Sequence, residues 1–116
     1  MQTKLLVMRP DQPHETMTVE LPETPGYVML RDLLSPVLNC DWPEHLSVLA
    51  DFAGGANYRR ADMFVDELGH QKRLMRNEAA TTIYRRNAMI LHQVTDAESL
   101  SFIVGPAVLF DRVVWT

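Results

Sequence analysis

The apolar positions of this 116-residue chain change period several times along its length. Lys4 to Arg9 (KLLVMR) and Glu15 to Leu21 (ETMTVEL) are short runs rich in apolar or β-branched residues, and the PDQPH between them has the prolines and aspartate of a turn. Together they predict a β-hairpin. Thr24-Pro25 then has the form of a helix start, a hydroxyl cap followed by a residue with no N–H to lose. Tyr27, Leu30, Leu34, Val37 and Leu38 fall on one helical stripe and Arg31, Asp32 and Ser35 on the opposite side, with Pro36 expected to end or kink the helix near Ser35.

From His45 the period shortens to two. Leu46, Val48, Ala50 and Phe52 alternate with His45, Ser47, Leu49 and Asp51, which predicts a strand with one buried face. Ala53 to Arg60 (AGGANYRR) reads as a loop, and Ala61, Met63 and Val65 alternate with Asp62, Phe64 and Asp66 in a further strand. Asp66-Glu67-Leu68-Gly69 supplies a tight turn, so His70 to Leu74 is expected to return antiparallel and complete a meander. Asn77 caps a run of helix formers, EAATTIYRR. MILHQV follows as a short strand, and after the polar TDAES the run LSFIVGPAVLF is a central strand that bends or bulges at Gly105-Pro106, since proline cannot donate to a ladder.

These elements predict an α+β fold. The expected form is a single mixed or mainly antiparallel sheet of about five strands with two helices packed on one face, in one domain over residues 1–116. At 47% hydrophobic content the chain can build one core without metal or disulfide. Cys40 is the only cysteine, which rules out an intrachain disulfide and any CxxC motif. The N-terminal apolar run stops too early for a secretory segment, and no stretch is apolar for the roughly eighteen residues a membrane helix needs, so a cytoplasmic address without membrane partner is expected.

The formal charge of −4 argues against indiscriminate binding to nucleic acid or membrane, but the charge is unevenly spread. Residues 58–86 hold seven of the eleven basic residues against four acids, a segment charge of +3 against −7 for the remainder. If Lys72, Arg73 and Arg76 stand near the second helix N-terminus at Asn77, they and its free N–H groups would suit a phosphate or carboxylate. Tyr58-Arg59-Arg60 and Tyr84-Arg85-Arg86 repeat a triplet of stacking ring and guanidinium groups, chemistry that serves base and phosphate contacts. The candidate anion or nucleic-acid site is therefore Arg59, Arg60, Lys72, Arg73, Arg76, Asn77, Arg85 and Arg86. The plain alternative is that these are solvated faces, with Arg85 and Arg86 suiting the negative end of the helix dipole.

Reaction motifs are missing from the sequence. His14, His45, His70 and His92 are scattered singly, the serines have no GxSxG context, and Gly54-Gly55 lacks the lysine of a phosphate loop, so neither metal nor cofactor is expected. Asp62, Asp66 and Glu67 are close in sequence, but the last two belong to a turn. Cys40 and Trp42 either are exposed and mark a contact surface or, as the favoured reading, are a small core thiol and a ring covering a helix end, while Trp115 is expected to dock on the domain or on a second subunit.

Met63 to Thr81 (MFVDELGHQKRLMRNEAAT) followed by Ile103 to Leu109 (IVGPAVL) resembles a family of small domains from phages, plasmids and actinobacterial mobile elements, domain of unknown function 3846. The likeness lies in a strand ending in a Val-Asp-Glu turn, a glycine, a basic residue, an Asn before Ala-Thr, and a late Ile-Val-Gly. Met75-Arg76 stands where that family commonly has prolines, and Tyr84 to Ser101 is longer than usual. The resemblance implies a mobile-element setting and names no reaction. Three functions follow as expectations: a non-catalytic interaction module with a protein partner, a binder of a phosphate-bearing ligand or nucleic acid, and, last, an enzyme.

Overall fold

The hairpin expected at the start of the chain forms in a computed structural model that describes residues 1–115. Gln2–Met8 (β1) pairs antiparallel with Glu15–Glu20 (β2), Leu5 opposite Met17. A second hairpin joins Pro43–Ala50 (β3) to Arg59–Asp66 (β4), His45 opposite Phe64. Ala107–Phe110 (β5), late in the sequence, lies between the two hairpins, with Leu5 opposite Phe110 on one side and Met63 opposite Leu109 on the other. The result is one five-stranded antiparallel sheet in the order β2-β1-β5-β4-β3. The α+β fold expected from the sequence is thereby observed.

The two helices divide between the faces of that sheet rather than sharing one. Tyr27–Leu38 (α1) buries Leu30, Leu34 and Leu38 against Leu5, Val7, Phe64, Val108 and Phe110. Glu78–His92 (α2) lays Ala80 against Met63, Val65, Ala107 and Leu109, the alternate residues of the same strands. The cause is the composition of β5: all four residues of AVLF are buried, and a strand that is apolar on both sides needs cover on both. Phe64 and Phe110 meet edge to face at 5.8 Å on the α1 side, an arrangement that adds about 1 kcal/mol to the area they bury.

Four local expectations are corrected. The first helix starts after Gly26, not at Thr24-Pro25, because Gly26 takes φ 81° and breaks the helical path just beyond the proline. It also runs through Pro36 to Leu38: the carbonyl that proline leaves without a donor belongs to exposed Asp32, where water can serve, and left-handed Asn39 with Cys40 N–H on Ser35 O (3.2 Å) closes the end. Residues 70–74 make no strand. They form successive turns, with Lys72 N–H on Leu68 O at 2.9 Å and Leu74 N–H on Gly69 O at 3.2 Å, because HQKRL has no alternating apolar face and β5 occupies the β4 edge it would have needed. MILHQV, finally, continues α2, which ends at His92 with Gln93 left-handed.

Candidate functional site

Asn77 is the most constrained of the predicted site residues. Its side-chain oxygen accepts from Ala80 N–H at 3.1 Å, the N-cap expected from the sequence, while its amide nitrogen donates to Met8 O (2.9 Å) and Gly105 O (2.8 Å). All of its hydrogen-bonding capacity is directed inward, and the residue is buried. It joins α2 to β1 and to the bend before β5, and presents nothing to a ligand.

The basic residues around it are largely engaged within the fold. Lys72 donates to the buried carboxylate of Asp66 at 2.7 Å, which raises the lysine above its usual range, the hydrogen bond being the main cause. Arg76 lies 4.9 Å over the Phe102 ring with Nε 2.8 Å from Glu78. Arg85, buried, fans out to Ser101 O, Leu100 O and the Glu98 carboxylate at 3.1–3.2 Å and fastens the 98–101 segment to α2. Arg60 donates to Ser47 Oγ at 2.8 Å. The two Tyr-Arg-Arg triplets do meet, but the contact is Arg86 stacked on Tyr58 at 4.8 Å. Arg59 and Arg73 are exposed, Arg59 beside Lys4 in a cleft of about 330 Å³ that Asp51 and Asp111 also line.

A different surface emerges along α2. Met89, Ile90 and Leu91 are 38%, 48% and 50% exposed in the last turns of the helix. Met89 and Ile90 line a shallow groove of about 490 Å³ between α2 and the Ala97–Ser99 turn, with Arg86 one helical turn before them and Arg76 and Glu78 at the start of the helix. Methionine adapts its shape to a partner more readily than a branched side chain does. The expectation of a strand over MILHQV concealed this surface, because alternation would have turned half of those residues inward.

The sequence also hid a buried polar cluster on the α1 face. His45 Nε2 donates to Asp62 Oδ1 at 2.6 Å, and Asp62 Oδ2 accepts the N–H groups of Val114 and Trp115, each at 2.8 Å. A carboxylate so deep in the fold needs such donors, and three are supplied. The docked Trp115 meets Tyr27 edge-on at 5.3 Å and His45 at 5.7 Å, so of the two seats expected for it the domain itself provides one. Cys40 is buried, as expected, whereas Trp42 is half exposed under the Arg31 guanidinium at 5.3 Å instead of being packed over a helix end.

Among the described residues no helix is long and apolar enough to cross a membrane, and no cluster of three or more His, Cys, Asp or Glu side chains is placed to hold a metal ion. No protein-family model, curated protein or solved structure matches this chain.

Proposed function

We propose that the chain is a non-catalytic, cytoplasmic interaction module of a phage or other mobile element that binds a protein partner through the outer face of α2. The observation that carries this reading is the exposed run Met89, Ile90 and Leu91 beside the groove. Such a surface suits an amphipathic segment that lays its apolar side chains on Met89 and Ile90. The motif likeness described above supplies the mobile-element setting. The test is native mass spectrometry of the protein purified from its own host, beside a Met89→Asp, Ile90→Asp variant with an unchanged circular dichroism melt. A stoichiometric protein partner held by the first and lost from the second is the expected result. A partner retained equally by both, or none, would sink the reading.

A second reading, a phosphate-bearing ligand or nucleic acid, is favoured by Arg59 and Arg60 lining one cleft with Lys4. Asp51 and Asp111 in the same cleft offset that charge, which ranks this reading second. Its signature is oligonucleotide binding that weakens steeply with salt, since phosphate contacts release counterions.

A further inference from the structure

An open sheet edge is a row of backbone groups ready to pair with another chain, and the two edges of this sheet are built differently. The outer side of β3 is closed by both helices. Tyr27 Oη donates to Pro43 O and Asn87 Nδ2 to Ser47 O, each at 3.2 Å, and Pro43 has no N–H to offer. β2 has no such cover. Leu21 N–H meets Met1 O at 3.0 Å and the Met1 nitrogen meets Leu21 O at 2.7 Å, so these two residues form a hydrogen-bonded pair. Alternation along the β1–β2 register then turns the N–H and C=O of Glu15, Met17 and Val19 toward β1, and those of Thr16, Thr18 and Glu20 outward. Among the described residues nothing hydrogen-bonds to the outward groups.

β2 also lacks the devices that blunt an open edge. ETMTVE contains neither proline nor lysine, and its register with β1 runs from Gln2 opposite Glu20 to Val7 opposite Glu15 without a bulge. Its glutamates are answered within the chain, Glu15 by Arg9 at 3.0 Å and Glu20 by the Met1 amino group at 2.8 Å, so the strand calls for a neutral partner rather than a basic one. The strand itself meets that description. Laid antiparallel on a second copy about a two-fold axis at Thr18, it sets Thr18 opposite Thr18, Thr16 opposite Glu20 and Met17 opposite Val19. Every outward N–H and C=O then has a partner, and no glutamate faces a glutamate. Sliding one strand by two residues would instead set Glu20 against His14 or Thr16 against Pro22, both beyond the strand. Met17 and Val19 are half-buried against the core that α1 covers, so this register also carries that core across the junction.

We infer that β2 is the seat of a symmetric homodimer, in which two copies of the chain join their five-stranded sheets edge to edge into one continuous sheet. The surface is separate from the α2 groove, and its test is independent of that proposal. The full ¹⁵N-labelled chain is followed by sedimentation velocity and by amide hydrogen exchange over a series from micromolar to millimolar concentration. Two variants accompany it. Thr18→Pro removes an N–H that β1 does not use and so leaves the hairpin its own hydrogen bonds, while Thr18→Lys sets two like charges face to face across the axis.

The expected result is a species of twice the chain mass, with amide protection at Thr16, Thr18 and Glu20 that rises with the dimer population. Met17 and Val19 are protected throughout, because their N–H groups serve β1. Both variants are expected to melt as the wild-type monomer does and to dimerise at least about tenfold more weakly. If Thr18→Pro fails to fold, Thr18→Lys decides alone. A chain that stays monomeric at millimolar concentration, a dimer whose protection maps to α2 or β3, or a dimer as stable in the variants as in the wild type would overturn the inference. Edge amides protected only when a different polypeptide is bound would overturn self-pairing and give the edge to that partner.

Discussion

The guanidinium of Arg86 lies 4.8 Å from the ring centroid of Tyr58, so the end of the β3–β4 loop is tied to the middle of α2 by a cation–π contact. A ring and a cation that could have served a nucleic acid are here spent on each other. A double-mutant cycle of Tyr58→Leu and Arg86→Met, followed by urea unfolding, is expected to give a coupling of about 0.5–1 kcal/mol, as for exposed cation–π pairs. Strict additivity of the two substitutions would show that the contact contributes nothing in solution.

At Asn77 the identity of the cap matters more than its capping. Asp serves as well as Asn at an ordinary exposed N-cap. Here Asn77→Asp keeps the acceptor for Ala80 N–H but sets a buried carboxylate against Met8 O and Gly105 O, where the amide donated two hydrogen bonds. The expected loss is about 3–5 kcal/mol, the range for leaving a buried charge unpaired, read as a shift of the urea midpoint. A loss under about 1 kcal/mol would mean that the two carbonyls do not depend on this side chain.

Asp62 holds the segment that carries Trp115. In a Trp42→Phe background the remaining indole reports on that segment alone. Asp62→Asn removes the charge that the backbone N–H groups of Val114 and Trp115 and the ring of His45 all address. The fluorescence of Trp115 is expected to move to the red as the ring leaves Tyr27 and His45, with a stability loss of about 2–4 kcal/mol. An unshifted emission maximum would show that Trp115 docks without the carboxylate.

Two groups make the alkaline limb of stability informative. Burial, reinforced by Asp66, pushes the Cys40 thiol up, so alkylation of the folded protein is expected to be slow near neutral pH and to become fast only in denaturant. Lys72 is raised chiefly by its hydrogen bond to Asp66, so its folded value lies above its unfolded one. Its contribution is therefore fully present below the ordinary lysine value and lost as pH rises through the folded value. Lys72→Met should remove that part of the alkaline decline in melting temperature. A wild-type and variant decline of identical steepness would contradict it.

Legibility in the sequence followed the distance over which each signal acts. The Asn77 cap and the turn at Asp66, where Leu68 N–H meets the Asp66 carboxylate at 2.9 Å, are written within a few residues and could be read directly. The absence of a third meander strand could not, because it depends on β5 arriving from more than thirty residues away to take the same edge. The division of the helices was half legible. The apolar run LSFIVGPAVLF, interrupted at Gly105-Pro106, marked a central strand, of which Ala107–Phe110 forms, and cover on both faces follows from that, although the alternation in β3 suggested a single buried face. The His45–Asp62 pair was hidden because each is unremarkable in its own strand, and only the pairing of Ser47 with Asp62 brings the two side by side. Of the eight predicted site residues, most turned inward or found partners, since arginines near a sheet end are as useful for fastening loops as for greeting ligands.

The position of β5 bears on how the chain can be made. Each hairpin, β1 with β2 and β3 with β4, closes within a short stretch of sequence, yet neither touches the other in the sheet until Ala107–Phe110 slides between them. While the ribosome still holds that strand, the nascent chain exposes two separate hairpins with an open edge on each. Completion of the sheet therefore waits until that strand has left the exit tunnel, and a stall in translation shortly before Ala107 would leave a species prone to pairing with other chains.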